Sequence, residues 1–186
     1  MKLSYRKIGE GQPLLVLHGL FGSSDNWQTL AKHWAEKYQV FLIDQRNHGH
    51  SPHSEEFSYE LMAEDLAELV AEEGLRDIVL LGHSMGGKTA MTFAQNHSFL
   101  IDKLIVVDMG IKEDISVITT LFSKDFFMLM RHMFLLDHQA ESRLKSISSD
   151  ISTSQFLLKN LYWEEPGKLN WRFNLNVLND KIDGCH

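Results

Sequence analysis

The stretch that decides the fold is Ile78-Val79-Leu80-Leu81-Gly82-His83-Ser84-Met85-Gly86-Gly87-Lys88-Thr89-Ala90-Met91. Its pattern predicts a buried strand, a sharp turn and a helix. Gly82 and Gly86 lack a Cβ, so a strand and a helix can approach closely while Ser84 takes a strained conformation between them. The Ser84 hydroxyl would then stand at the top of a sheet. The stretch therefore predicts a nucleophilic serine, which still needs a base to take its proton.

Outward from this stretch, the first half of the chain alternates strand-like and helix-like segments. Short apolar runs, typical of strands buried on both faces, occupy 14–17, 40–43, 78–81 and 104–107. Met62, Leu66, Leu69 and Val70 recur at helical spacing, and Gly74 follows as a helix stop. We therefore predict an α/β fold with a mostly parallel sheet and helices on both faces, with an added edge strand at residues 2–8.

The domain organisation follows from a change of pattern after Gly110. Residues 1–110 are predicted to form the α/β core, and residues 111–170, rich in Met, Phe, Leu and Ser, to form a helical cap. Such an insertion would lie over the carboxyl ends of the strands, where ligands bind, although ordinary packing helices are the alternative. Residues 171–186 would begin the return to the core.

Composition limits the classes of partner. The 186 residues carry a formal charge of −7, which disfavours nucleic acid and anionic lipid and favours a small or neutral ligand. The one cysteine, Cys185, excludes an intrachain disulfide, and with the charged N-terminus it predicts a cytoplasmic protein. The most apolar stretch, 126–136, contains Arg131 and His132 and falls short of the roughly 20 residues that span a bilayer.

A nucleotide-binding protein is the rival interpretation. The same stretch matches the phosphate-binding pattern G-x-x-x-x-G-K-[ST] through Gly82, Gly87, Lys88 and Thr89. Asp108, at the end of an apolar run, would then hold Mg²⁺, and Lys88 would contact the terminal phosphates.

A second loop favours a serine hydrolase over a nucleotide-binding protein. The apolar run at 14–17 ends in His18-Gly19-Leu20-Phe21-Gly22, where a serine hydrolase places one backbone N–H of its oxyanion hole. Leu20 would supply that N–H, and Met85, the residue after the nucleophile, would supply the other. Two separate segments thus converge on one chemical task, and a nucleotide-binding protein has no use for the first.

Several stretches together resemble the YbfF-type esterase branch of the α/β hydrolases. They are Leu17-His18-Gly19-Leu20-Phe21-Gly22-Ser23-Ser24-Asp25-Asn26-Trp27, Asp44-Gln45-Arg46-Asn47-His48-Gly49-His50-Ser51-Pro52, the stretch around Ser84, and the later segments 155–160 and 171–175. The resemblance implies hydrolysis of carboxylic esters or acyl thioesters without a metal or organic cofactor. It also implies that Asp108 is the acid that orients the catalytic histidine. A simple turn role for Asp108 is the alternative.

The histidine base is the missing part. The chain has ten histidines, and in an α/β hydrolase the catalytic one comes last, after the final strand. His18, His48, His50, His53 and His83 come too early, and the group at 48–53 could alternatively suggest a metal. His132 and His138 lie in the presumed cap, and His186 is the last residue. We therefore expect a truncated chain whose base is absent, with an inactive hydrolase-like fragment or binding module as a further alternative.

The substrate pocket is expected to be apolar. Phe21, Trp27 and Phe127 could line an acyl site for a small-molecule ester or thioester, although such residues more often belong to a core.

Overall fold

The central sheet has five strands, which confirms the predicted α/β class. The computed structural model describes residues 1–108, 151–166 and 168–181. The strands are β1 (Ser4–Ile8), β2 (Gln12–Leu17), β3 (Tyr38–Asp44), β4 (Ile78–His83) and β5 (Ile101–Val107). They lie in the order β1-β3-β2-β4-β5. β1 pairs antiparallel with β3, while the other pairs are parallel. The carboxyl ends of four strands therefore lie at one edge of the sheet.

Helices connect the parallel strands. They are α1 (Gln28–Trp34), α2 (Tyr59–Glu72) and α3 (Met85–His97), with 3₁₀ turns at Ser24–Trp27 and Ser98–Leu100. Ser58 caps α2 by accepting a hydrogen bond from the Leu61 N–H at 3.2 Å, which satisfies one of the unpaired donors at a helix start. Gly74 follows α2 at φ 64°, a conformation that ends helices.

In the central strands β2, β3 and β4 the apolar side chains are buried on both faces of the sheet, since alternate residues of a strand point to opposite sides. On one face Leu15, Leu17 and Phe41 pack with the apolar side of α2 and with α3. On the other, Leu14 and Val16 pack with α1. This two-sided burial explains why the strands are continuously apolar in sequence.

The later described segment differs in part from the predicted helical cap. It contains α4 (Ile151–Leu158), β6 (Leu161–Glu165), β7 (Lys168–Trp171) and α5 (Leu175–Lys181). β6 and β7 form an antiparallel hairpin. The expectation of helix throughout 111–170 is therefore wrong for this hairpin, whose Pro166-Gly167 pair is a turn signal. The rest of the predicted cap, 111–150, lies outside the described residues.

β5 is an edge strand, bonded to β4 and to no other described strand. Its last four side chains, Leu104 to Val107, are 36–40% exposed although all are apolar. Within the described ranges, no helix combines the length and apolar character that a bilayer crossing would need.

Candidate active site

Ser84 is the single residue between β4 and α3. Its backbone lies at φ 50° and ψ −117°, a region that costs a non-glycine residue on the order of 1–3 kcal/mol. Backbone hydrogen bonds hold it there: the Ser84 N–H donates to the Val107 carbonyl at 3.0 Å, and the Gly87 N–H donates to the Ser84 carbonyl at 2.8 Å. The predicted strained turn is confirmed.

Glycine is required on both sides of this turn. A Cβ on Gly82 would lie 2.2 Å from the Gly86 carbonyl oxygen. A Cβ on Gly86 would lie 2.6 Å from the carbonyl oxygens of both Leu17 and His18. Such distances are shorter than any van der Waals contact, so the close approach of β4, α3 and β2 that places Ser84 depends on these two glycines.

The loop after β2 lies against Ser84. A Cβ on Gly19 would be 3.4 Å from the Ser84 Cβ, and the Gly22 N–H closes the loop onto the Gly19 carbonyl at 2.9 Å. Among the described residues, neither the Leu20 N–H nor the Met85 N–H has a hydrogen-bond partner. The two donors predicted for an oxyanion hole therefore belong to neighbouring segments, and no described residue accepts from either of them.

The helix beyond Ser84 adds an electrostatic contribution. Met85 is the first residue of the 13-residue helix α3, whose aligned peptide dipoles place partial positive charge at its N-terminus. Negative charge that develops on a group bound at Ser84 is stabilised there.

His18 and His48 form a buried pair beside this loop, with ring centroids 5.1 Å apart. The His18 Nδ1 lies 2.8 Å from the Gly19 carbonyl, so it carries the proton, and its Nε2 accepts the Gln45 N–H at 3.1 Å. Burial lowers the pKa of His18, and burial with the neighbouring His18 lowers the pKa of His48 to about 3. Both imidazoles are therefore neutral near pH 7.

These contacts exclude His18 as the base for Ser84. The lone pair on its Nε2 already accepts the Gln45 N–H. A proton added to Nε2 would point at that N–H, and the two donors would repel each other. His18 instead anchors the loop after β2 to the start of the loop after β3, since the Gln45 side-chain amide also donates to the His18 carbonyl at 2.7 Å. This agrees with the prediction that His18 is not catalytic.

Asp108 follows β5 at φ 51° and its side chain is 87% exposed. Its Oδ2 lies 3.7 Å from the Nε2 of His83, the residue before Ser84. The His83 ring in turn lies edge-on to Trp27, with centroids 6.1 Å apart. The structure thus places Asp108 close to the Ser84 turn, and its role as the acid of a triad stays a prediction.

The predicted pocket residues occupy different surroundings. Phe21 is buried in an apolar cluster with Met85, Leu157, Trp171 and Phe173. Trp27 instead packs on the opposite side, against the cluster of Leu14 and Val16. Phe127 lies outside the described residues. Phe21, in the loop after β2, therefore lies in an apolar environment, and Trp27 belongs to a different apolar cluster.

Sequence inspection missed two buried carboxylates that brace the loop after β3. Asp44 accepts the Ser24 N–H at 2.6 Å and the His50 N–H at 2.9 Å, which joins that loop to the one after β2. Asp65 on α2 accepts both the Nε and the Nη2 of Arg46, at 2.6 and 2.9 Å. The sequence did carry a signal for both. Asp44 directly follows an apolar run and Asp65 lies within the apolar pattern of α2, and a charge in such a position is rarely buried without a partner.

The structure argues against the nucleotide-binding interpretation. Only one residue separates β4 from α3, which leaves no loop long enough to surround phosphates. The Thr89 hydroxyl is buried and donates to the Met85 carbonyl at 3.2 Å, so it is not available to a magnesium ion. The Lys88 Nζ lies over the Tyr59 ring, 5.4 Å from its centroid.

The histidines at 48–53 do not converge on one point. The His48 Nδ1 lies 2.9 Å from the Arg46 carbonyl, whereas His50 lies against the Arg172 guanidinium at 3.3 Å. In the part of the chain that the structure describes, no group of three or more His, Cys, Asp or Glu side chains is placed to hold a metal ion.

The fold and the Ser84 turn together define an α/β hydrolase, and the chain belongs to that family: the family model for the alpha/beta hydrolase fold matches residues 12–143. The chain is 37% identical over 185 residues to the sn-1-specific diacylglycerol lipase ABHD11 of Danio rerio, a match that covers 94% of this chain and 57% of the relative. It is 32% identical over 173 residues to Esterase YbfF of Escherichia coli strain K12, covering 91% of this chain and 65% of that protein.

A solved structure agrees with these relatives. The marine microorganism esterase superposes with a TM-score of 0.86 at 36% identity, covering 97% of this chain and 72% of that one. The chain spans less than two thirds of the length of the two curated relatives. The resemblance to the α/β hydrolases, first indicated by sequence motifs, is confirmed at the level of the family.

Proposed function

We propose that this protein is a serine esterase that cleaves carboxylic esters, with acyl thioesters as a second substrate class of the same chemistry. The observation that supports this best is a strained Ser84 at the N-terminus of α3 together with two backbone donors from separate segments, Leu20 and Met85, that have no partner among the described residues. The lipase and esterase names of the relatives agree with it.

In the proposed mechanism the Ser84 oxygen attacks the acyl carbonyl, and a base takes the hydroxyl proton. The Leu20 and Met85 N–H groups hold the oxyanion, and loss of one such donor typically lowers turnover about 100- to 1000-fold. The alcohol or thiol then leaves with a proton from the base, and water hydrolyses the acyl-enzyme. Asp108 would orient a histidine base. Within the described ranges, no histidine nitrogen is hydrogen-bonded to the Ser84 hydroxyl.

The substrate class follows from the surroundings of the site. The cluster that contains Phe21 and Met85 continues through Leu157, Trp171 and Phe173, all less than 6% exposed. An apolar wall beside the attacked carbonyl favours an acyl group with hydrocarbon character. A neutral acyl ester also suits a chain whose formal charge is −7.

A fluorophosphonate probe tests the proposal. We expect it to label the 186-residue chain at Ser84, and Ser84→Ala to abolish that labelling. Hydrolysis of p-nitrophenyl butyrate also needs the base, and Ser84→Ala should abolish it in any form of the protein that shows it. The exposed serine of Ser98→Ala is the matched control and should leave both unchanged. Labelling that persists in Ser84→Ala would refute the assignment of the nucleophile, and an unlabelled wild-type chain would favour the inactive fragment or binding module.

A further inference from the structure

The oxyanion loop has a strained residue of its own. Phe21, directly after Leu20, has φ 57°, a left-handed conformation that a bulky side chain rarely adopts. Such a conformation persists only where surrounding contacts impose it. Because Phe21 directly follows Leu20, whatever fixes the Phe21 backbone also limits how the Leu20 backbone, which carries the donor N–H, can turn.

Asn160 holds it from a distant part of the chain. The Asn160 side-chain amide donates to the Phe21 carbonyl at 2.9 Å and to the Phe156 carbonyl at 3.3 Å. Its side chain is buried, with the residue only 2% exposed, so water does not compete for these bonds. A hydrogen bond of this kind from a buried amide has a defined direction, and it keeps the Phe21 carbonyl turned towards α4.

Asn160 is itself fixed on both sides. Its backbone N–H donates to the Leu157 carbonyl at 2.9 Å, which joins it to the end of α4. Its carbonyl accepts the Arg172 N–H at 2.8 Å, which joins it to the residue after β7. The backbone that carries the Asn160 amide is therefore held by hydrogen bonds on both sides.

Aromatic packing acts at the same place. The Phe21 ring lies 4.8 Å from the Phe173 ring, and Phe173 stacks on Trp171 at 5.0 Å. The packing fixes where the Phe21 side chain lies, but apolar contact carries no preference for the direction of a carbonyl. The Asn160 amide supplies that direction.

We propose that Asn160 is a positioning residue, which holds the Phe21 carbonyl and thereby aims the Leu20 N–H at the oxyanion. This inference rests on the proposed esterase function. Without the Asn160 donor, Phe21 relaxes towards negative φ, and the Leu20 backbone joined to it turns with its N–H away from the oxyanion. The misplaced N–H destabilises the transition state more than the bound ester, because the oxyanion carries more negative charge than the ester carbonyl does.

The test uses two variants. Asn160→Asp keeps the shape of the side chain and removes its N–H donor, and Asn160→Ser shortens the side chain and removes the amide. We expect kcat for p-nitrophenyl butyrate to fall about 10- to 100-fold with KM within about twofold. We also expect Ki for phenylboronic acid, which forms a tetrahedral adduct on a serine, to rise by the factor that kcat falls. Asn170→Asp is the control, since its exposed amide donates to Glu164 in the same hairpin.

The outcomes separate this inference from the function on which it rests. If the wild type turns over substrate and both variants keep its kcat, Asn160 has no positioning role and the esterase proposal stands. A fall in kcat with an unchanged boronate Ki assigns Asn160 a merely structural role and overturns the inference. If the wild type neither reacts with the fluorophosphonate nor hydrolyses ester, both proposals fail. Should Asn160→Asp not fold, as judged by circular dichroism, Asn160→Ser decides alone.

Discussion

At the scale of single residues, close backbone approach accounts for the site more than side-chain packing does. Ser84 is held by hydrogen bonds to its own N–H and carbonyl, and the space for that arrangement comes from Gly82 and Gly86. This close approach can be predicted from sequence, because a position with no room for a Cβ must be glycine, and Gly82 and Gly86 each lie two residues from Ser84. The predicted identity of the turn was therefore correct to the residue.

Gly82→Ala tests this requirement for space. The added methyl would lie 2.2 Å from the Gly86 carbonyl oxygen, so we expect the free energy of unfolding to drop by about 3 kcal/mol or more. Gly74→Ala is the matched control: Gly74 has φ 64° but nothing within 4 Å, so it should cost only about 1 kcal/mol. Urea denaturation measures both. Equal losses would mean that the close approach does not limit the turn.

The buried histidines predict a pH dependence of stability. The pKa of His48 is lowered from 6.5 to about 3, chiefly by burial, so between these values the unfolded chain binds a proton that the folded chain does not. Stability therefore falls as the pH falls through this window, by up to about 1.4 kcal/mol per pH unit. Urea denaturation at a series of pH values measures the slope.

The matched variants for this slope are His48→Asn, which removes the titrating group, and His33→Asn, which removes an exposed histidine of α1. We expect the slope between pH 6.5 and 4 to become shallower in His48→Asn and to stay unchanged in His33→Asn. The opposite pattern would mean that His48 is protonated in the folded protein.

At the scale of helices and strands, the sequence predicted the core well and the later segment poorly. β2, β3 and β4 are buried on both faces, so each contains a continuous apolar run that can be recognised without a structure. In the hairpin of β6 and β7 the pattern is mixed: Trp163 is 51% exposed and Trp171 is 2% exposed. With strands of five and four residues, that pattern is too short to distinguish from a helix.

The ion pair between Arg46 and Asp65 joins the loop after β3 to α2. Asp65→Asn would leave the Arg46 guanidinium buried without a full counter-charge, so we expect a loss of about 3–5 kcal/mol in the free energy of unfolding. The exposed Asp102→Asn, beside Lys103, should change the free energy of unfolding far less, because water screens a surface ion pair. Denaturation in urea compares the two.

An apolar replacement of the whole pair sharpens this test. We expect the double variant Arg46→Met with Asp65→Leu to be more stable than Asp65→Asn, because the buried guanidinium is gone and the Met1 ammonium, which also binds Asp65, keeps Glu68 at 2.8 Å. A double variant less stable than Asp65→Asn would contradict the view that the unpaired charge causes the loss.

At the scale of the whole molecule, the candidate site draws on segments that are far apart in the chain. Leu20 follows β2, Met85 begins α3, and Asn160 follows α4, 139 residues after Phe21. The first two belong to glycine-rich motifs and could be predicted. Asn160 could not, because a single bond from a side chain to a distant carbonyl leaves no periodic pattern in the sequence. Asp108 was placed near Ser84 by the resemblance to a family alone.

The exposed edge of β5 predicts self-association. Leu104 to Val107 contain no charge and are 36–40% exposed, on a strand that pairs with β4 alone among the described strands. Such an edge presents unpaired backbone groups and apolar side chains to another chain. We expect the sedimentation coefficient to rise with protein concentration, and Ile105→Lys to suppress that rise while leaving the melting temperature within a few degrees.

Leu30→Lys on α1, a similarly exposed apolar site at 46%, is the control that should not change the rise in sedimentation coefficient. Association that Leu30→Lys removes and Ile105→Lys leaves intact would place the contact on α1 and leave the β5 edge without a partner in solution.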